Sequence, residues 1–151
     1  AKGETAYTPA VSLLRGLNVA LDMILAEGLE ATWARLKKNN QVVLEGASAL
    51  GCTPFSERPS PAVAALKAPA SIAAPDIVAG FAKRNVRIAG GQEDAKPVLF
   101  RPSVMGDTDT YDALTIVMVL EDVLRDLGHD VAYGAGVAAA SRFLHAASVP
   151  A

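Results

Sequence analysis

Arg101 is the residue whose type and position most clearly suggest contact with a ligand. It follows Val98, Leu99 and Phe100, which favour a buried strand, and Pro102 comes directly after it. A guanidinium at the exit of a buried strand is costly unless it meets an anion, and its planar fork matches a carboxylate. The residues alone leave two interpretations open: a carboxylate ligand, or an ion pair with a nearby aspartate.

A second pattern resembles a nucleotide-binding loop. Gly134, Gly136 and Ala139 form Gly-x-Gly-x-x-Ala after the apolar run 131–133, which matches the glycine pattern of dinucleotide-binding loops. Such a loop also needs a following strand and an acidic residue about 20 positions on. Residues 140–151 contain no acid. We therefore interpret the glycines as a flexible turn that leads into an alanine-rich helix.

No other group of residues forms a metal or nucleophile pattern. His129 and His145 have no further ligand at a suitable spacing, so we expect one to follow a helix end and the other to lie on a helix surface. Cys52 has no neighbouring base and is interpreted as a small buried side chain. Helix capping explains a cluster of three acids, Asp107, Asp109 and Asp112.

Most of the elements that must position these residues are predicted to be helices. Apolar residues recur at helical spacing in five segments, which we predict to be helices: 10–25, 29–50, 75–84, 110–127 and about 136–147. Asp109 is the expected N-cap of the fourth helix. Arg35, Lys37 and Lys38 are expected on a solvated face of the second helix.

The middle of the chain contains short strand-like runs. We predict strands at 53–55, 62–67, 86–89 and 98–101. Prolines surround the first two, so we expect these strands at an edge of the sheet. The order of elements predicts an α+β fold, with a small, largely antiparallel sheet covered by helices on one face.

Composition excludes several functional classes. The formal net charge is −2, so no basic face for nucleic acid is expected, and no apolar run is long enough to span a membrane. The single cysteine rules out an internal disulfide and fits a reducing, cytoplasmic location.

Several blocks resemble the C-terminal small domain of class V pyridoxal-phosphate-dependent aminotransferases. They are Thr-Pro-Ala-Val-Ser-Leu-Leu at 8–14, Leu-x-x-Ile-Leu-Ala-Glu-Gly-Leu-Glu at 21–30 and Trp-Ala-Arg at 33–35, followed by Gly-Gly-Gln at 90–92, Val-Leu-Phe-Arg at 98–101 and Met-Gly at 105–106. The resemblance covers residues 7 to about 127. The branch includes alanine–glyoxylate and serine–pyruvate aminotransferases, and relatives labelled as the small subunit of a soluble hydrogenase.

The resemblance implies roles for three residues. Arg101 falls on the arginine that binds the substrate α-carboxylate, and Thr8 on a threonine that reaches the cofactor phosphate of the neighbouring subunit. Tyr7 falls close to a tyrosine with a similar role. Pro102 and Ser103 replace the family's Ile-Gly after the arginine. The lysine that carries the cofactor in this family has no counterpart among residues 1–151.

We therefore expect residues 1–151 to be a single C-terminal domain that begins with an extended segment, 1–9, and lacks the large domain with the cofactor lysine. The full protein would be a homodimer that moves an amino group from a small amino acid to a 2-oxo acid. The chain alone is expected to be inactive, to bind no pyridoxal phosphate tightly and to self-associate through apolar surface on the first helix or on the helix that contains Trp33. The alternative is a non-catalytic α+β module for assembly or regulation, for example a hydrogenase-associated subunit.

Overall fold

The structure, a computed structural model, describes residues 7–148. Five α-helices and four short strands alternate along the chain: α1 Val11–Glu27, α2 Leu29–Ala49, β1 Thr53–Pro54, β2 Leu66–Lys67, α3 Ala74–Lys83, β3 Ala89–Gly90, β4 Leu99–Arg101, α4 Thr110–Asp126 and α5 Ala135–Ser148. A 3₁₀ turn, Glu93–Ala95, lies between β3 and β4. The expected α+β class is confirmed, and all five helices lie where their periodicity predicts them.

The chain divides into two compact units, and the boundary falls within α2, after Ala34. In the first unit, α1 has no buried residue. Its leucines are 48–74% exposed, and Trp33 on α2 is 60% exposed. Exposed apolar patches of this kind are typical of interaction sites. No helix within residues 7–148 combines the length and apolar composition needed to cross a bilayer.

The sheet of the second unit has the order β1-β2-β4-β3, and every neighbouring pair is antiparallel. Pro54 lies in β1, an edge strand, where a missing amide donor is tolerated. The expectation that the second strand also forms an edge is wrong, because β2 pairs with both β1 and β4. Strand β3 begins at Ala89, later than the predicted 86–89.

The two faces of the sheet differ in burial. Leu66 and Phe100 are fully buried and belong to the same core as Ile77 and Phe81 of α3. Because side chains alternate along a strand, the neighbours of Leu66 and Phe100 lie on the opposite face. Those neighbours include Lys67, which is exposed, and Arg101, which is half-buried. Leu99, which also lies on that opposite face, is only 8% exposed. Arg101 therefore lies on the face opposite the core of α3, and that face is covered at Leu99 and exposed at Lys67.

Glycines allow three helices to approach α4 closely. A β-carbon on Gly46 of α2 would lie 2.5 Å from Val117 of α4, and one on Gly80 of α3 would lie 2.5 Å from Val123. On α5, a β-carbon at Gly136 would also contact Val117, at 3.1 Å. Helix α4 is therefore the centre of the helical layer.

We expect Gly80→Ala to lower the free energy of unfolding by about 1–3 kcal/mol, because an added methyl group would overpack the contact with Val123. Gly16→Ala is the matched control. Gly16 also lies within a helix, but a β-carbon there meets nothing within 4 Å. That change should leave stability equal or higher, because alanine favours helix over glycine by roughly 0.5–1 kcal/mol. Urea unfolding measures both effects, and equal midpoints for Gly80→Ala and the parent would contradict the packing argument.

Candidate carboxylate-binding site

Arg101 ends β4, the strand that pairs with β2 on one side and β3 on the other. Leu99 and Phe100 anchor the strand in the interior. The Arg101 side chain is half-buried, and its Nε donates a hydrogen bond to the carbonyl of Gly90 at 2.9 Å. This bond fixes the base of the guanidinium and leaves the two terminal NH₂ groups for another acceptor.

No acidic side chain within residues 7–148 pairs with Arg101. Arg84, by contrast, forms an ion pair with Asp126 at 2.6 Å, between α3 and α4. The sequence left two interpretations open, a carboxylate ligand or an ion pair with a nearby aspartate. The described residues do not supply that aspartate. The arrangement of a half-buried guanidinium with both terminal nitrogens available is typical of an anion-binding arginine.

The residues after Arg101 continue the strand pairing. Ala64 donates its backbone NH to the carbonyl of Pro102 at 3.0 Å, and Val63 forms a β-bridge with Ser103. Proline removes the reciprocal hydrogen bond, because it has no amide hydrogen. The register is nevertheless kept on both sides of Arg101. The replacement of Ile-Gly by Pro-Ser therefore leaves Arg101 in its strand.

The loop between β4 and α4 is held by the helix α2. Arg35 donates from Nη1 to the carbonyls of Gly106, at 3.1 Å, and Thr108, at 2.7 Å. The fully buried Asn39 donates to the same Thr108 carbonyl at 3.0 Å and accepts from the Thr110 hydroxyl at 3.2 Å. The expectation that Arg35 belongs to a solvated face is therefore wrong, although Lys37 and Lys38 are exposed as expected.

A glycine pair positions the Gly90 carbonyl that Arg101 uses. Gly91 donates its NH to the carbonyl of Leu99 at 2.7 Å. A β-carbon on Gly91 would collide with the backbone carbonyl of Ala95 in the 3₁₀ turn. This position requires glycine because of a close backbone approach.

Tyr7 and Thr8 belong to the first unit, whereas Arg101 belongs to the second. Both residues lie in a bend before α1, and both are exposed. Tyr7 is 89% exposed. Their suggested contact with a cofactor phosphate stays a prediction.

The described lysines do not fit a covalent attachment point for pyridoxal phosphate. A lysine nucleophile is activated by desolvation or by a neighbouring cation. Within residues 7–148 every lysine is exposed: Lys37, Lys38, Lys67, Lys83 and Lys96. These residues therefore offer no buried amine for the cofactor.

The glycine pattern at 134–136 serves to cap a helix. The buried carboxylate of Glu121 on α4 accepts hydrogen bonds from the backbone NH groups of Gly134 and, at 2.9 Å, Gly136. These amides lie at the start of α5, where an incoming phosphate would otherwise bind. Gly134 has φ 79°, which favours glycine. The expected turn into an alanine-rich helix is confirmed, and Glu121 holds it through these hydrogen bonds.

The remaining polar residues have structural partners. Asp109 and Asp112 form a reciprocal capping box at the start of α4. The Nε2 atom of His129 lies 3.2 Å from the carbonyl of Leu50, just beyond α2. Cys52 is buried, and desolvation raises the pKa of its thiol to about 12. No group of three or more His, Cys, Asp or Glu side chains within residues 7–148 is arranged to hold a metal ion.

Comparison with known proteins identifies the relatives of this chain. It is 39% identical to the soluble hydrogenase small subunit of Synechococcus sp. (strain PCC 6716), covering 97% of this chain and 39% of that protein. It is 35% identical to a serine–glyoxylate aminotransferase of Arabidopsis thaliana, covering 91% and 35%. Among solved structures, the pyridoxamine–pyruvate aminotransferase of Mesorhizobium loti matches with a TM-score of 0.86 and 28% identity, covering 97% and 39%. No protein-family model matches the sequence.

The matches extend over nearly all of this chain but only part of each relative. The chain spans about two-fifths of the length of the hydrogenase subunit and of the pyridoxamine–pyruvate aminotransferase. The expected resemblance to aminotransferases is confirmed, and so is the expected link to proteins labelled as soluble hydrogenase subunits.

Proposed function

Since this chain is homologous to class V aminotransferases over most of its length, we propose that residues 1–151 form the C-terminal small domain of a pyridoxal-phosphate-dependent aminotransferase. The full protein moves an amino group from a small amino acid to a 2-oxo acid. Residues 1–9 form the segment that enters the domain. The lysine that carries the cofactor lies in another part of the full protein.

The observation that carries this proposal is the set of hydrogen-bond partners around the Arg101 side chain. Its Nε is held by the Gly90 carbonyl, and no acid of the described chain pairs with its terminal nitrogens. In the proposed enzyme these nitrogens bind the substrate α-carboxylate as a bidentate pair. Arg101 thereby orients the amino group for reaction, which is a positioning role. Gly91 supports it through the paired strands β3 and β4.

Pyridoxal phosphate, when bound, supplies the electron sink for amino-group transfer. Thr8 would donate its hydroxyl to the cofactor phosphate of the neighbouring subunit, and Tyr7 would contact the same phosphate. This assignment needs a homodimer. The exposed apolar side chains of α1 support such an assembly, because large apolar patches are often interaction sites. A cytoplasmic location remains part of the proposal.

Activity measurements on two proteins test this function. The full-length protein, supplied with pyridoxal phosphate, should transfer an amino group from alanine or serine to glyoxylate or pyruvate. The 151-residue chain alone should transfer none and should lose the cofactor during gel filtration. The proposal is overturned if the full-length protein transfers no amino group. Yellow colour that the isolated chain retains after borohydride reduction would contradict the assignment of the lysine to another part of the protein.

A non-catalytic assembly module is the second candidate. The similarity to a protein named as a hydrogenase small subunit favours it. The two candidates differ in Arg101, because an assembly module has no need for an arginine whose terminal nitrogens have no acidic partner in the described chain. Amino-group transfer that depends on Arg101 would exclude the module as the whole function.

A further inference from the structure

Strand β3 forms an outer edge of the sheet, and its pairing with β4 decides the direction of the Gly90 backbone groups. Gly91 donates its NH to the carbonyl of Leu99 at 2.7 Å, and the register pairs Gly90 with Phe100. In an antiparallel ladder, pairs that exchange hydrogen bonds alternate with pairs that exchange none. Gly90 and Phe100 are therefore a pair of the second kind, and the NH and the carbonyl of Gly90 both point away from β4.

The Arg101 side chain reaches this outer edge. Its Nε donates to the outward carbonyl of Gly90 at 2.9 Å, so the guanidinium lies beside the edge of β3. Within one extended residue, the NH and the carbonyl point to the same side of the strand. The Gly90 NH is therefore next to the carbonyl that Arg101 binds, on the same side of β3.

The hydrogen bonds among residues 7–148 include none from the Gly90 NH. Gly90 is half-buried, and an amide in such a position takes an acceptor from water or from a ligand. Pairing with a further strand is disfavoured here. Strand pairing uses both the NH and the carbonyl of an edge residue, and this carbonyl already accepts from Arg101.

We propose that the backbone NH of Gly90 is a second ligand for the carboxylate that Arg101 binds. The polar groups left at this edge are all donors: the two terminal NH₂ groups of Arg101 and the NH of Gly90. An ionised carboxylate is the matching ligand, because it only accepts and its two oxygens offer about four lone-pair sites. It can therefore meet the guanidinium fork and still accept from an amide.

The inference rests on the proposed function, because it takes Arg101 as the site of the substrate α-carboxylate. It adds a positioning role to Gly90. A guanidinium from β4 and an amide from β3 hold the carboxylate from two directions, which fixes its plane. The direction of the substrate amino group then follows from the two strands together.

Gly90 offers a way to remove this donor by itself. A β-carbon on Gly90 would lie 3.8 Å from Val78 of α3, an ordinary contact on the core side of the sheet. Gly90→Ala therefore keeps the NH and adds a methyl group on the face opposite Arg101. Gly90→Pro removes the NH, and an edge strand tolerates proline where the amide faces outward.

Propionate binding to the full-length protein is the first measurement. Propionate carries one carboxylate and no amino group, so it binds without reacting. Calorimetry should show that Gly90→Pro weakens propionate binding about tenfold, as expected for the loss of one hydrogen bond to a charged acceptor. Gly90→Ala, which has the donor that proline lacks, should recover the affinity. Equal affinity of Gly90→Pro and the parent, or equal losses in the two variants, overturns the inference.

Hydrogen exchange of the parent protein gives a readout that a merely structural role of Gly90 would not move. The outward NH of Gly90 should exchange quickly in the free protein and about tenfold more slowly in saturating propionate. The NH of Gly91, which is already bonded to Leu99, should change little. This measurement also decides the matter if Gly90→Pro does not fold, because unchanged exchange at Gly90 overturns the inference.

The inference and the proposed function fail in different experiments. If the Gly90 NH controls propionate binding but the full-length protein transfers no amino group, the proposed function fails and the carboxylate site stands. If alanine reacts while Gly90→Pro binds propionate as the parent does, the role of Gly90 fails and the proposed function stands.

Discussion

In the full-length enzyme, Arg101→Lys is expected to lower kcat/KM for amino acids by roughly ten- to a hundredfold, because a charge-assisted contact to a carboxylate contributes about 1.5–3 kcal/mol. Lysine keeps the positive charge but loses the planar fork that donates two parallel hydrogen bonds. It also loses the Nε–H group that donates a hydrogen bond to the Gly90 carbonyl in the parent protein. Steady-state kinetics separate the contribution of Arg101 to substrate binding from its contribution to substrate orientation. A rise in KM alone reports ground-state binding, and a fall in kcat reports lost orientation.

The control for this substitution is Arg142→Lys, which makes the same change on the exposed surface of α5. It should leave kcat, KM and thermal stability unchanged. Arg101→Lys should also fold normally, because no acid of the described chain depends on Arg101. Kinetics equal to those of the parent would mean that the substrate carboxylate binds elsewhere. A variant that unfolds at 25 °C would instead show that Arg101 has a structural role beyond substrate binding.

The helices could be predicted from the sequence because their signals are local. The α4 helix carries its own start signal in Asp109 and its own apolar stripe, and the structure has its capping box and its buried face there. The strands were harder to predict. Strands of two or three residues carry little periodicity, and β3 forms where Gly90 can pair with Phe100, a contact that depends on the rest of the sheet.

Arg101 could be identified as a candidate ligand-binding residue from the strand residues before it. The contacts that surround it could not be predicted from the sequence. The contacts from Arg35 and Asn39 to the loop before α4 join residues about 70 positions apart. Helical periodicity does not distinguish Arg35 from the exposed Lys37 and Lys38. The hydrogen bond from Arg101 to the carbonyl of Gly90 likewise depends on the pairing of β3 with β4. One signal was available: Asn39 and Asn40 are polar residues at positions where the apolar stripe of α2 continues, and both are buried.

The role of Glu121 could not be read from the sequence either, because its partners lie beyond the end of α4. The apolar stripe of α4 includes Leu120, Val123 and Leu124, and a glutamate among them suggests only a residue at the margin of the buried face. The structure buries it to 4% exposure and places its carboxylate against the first amides of α5. Burial of a carboxylate is tolerated when it accepts several hydrogen bonds.

Glu121→Ala is therefore expected to destabilise the chain by about 2–4 kcal/mol, since it removes two charge-assisted hydrogen bonds and the cap of α5. The backbone NH groups of Gly134 and Gly136 would be left without their acceptor, and Gly136 is itself buried. Asp122→Ala is the matched control. It removes the next acid of the same helix, which lies half-buried, and should change stability by no more than about 0.5 kcal/mol. Urea unfolding followed by circular dichroism measures both variants. Hydrogen exchange adds a local readout, because the first amides of α5 should lose protection in Glu121→Ala while those in the middle of α4 keep theirs. Equal stability of the two variants would show that water replaces the carboxylate at no cost, and that Glu121 does not hold α5 against α4.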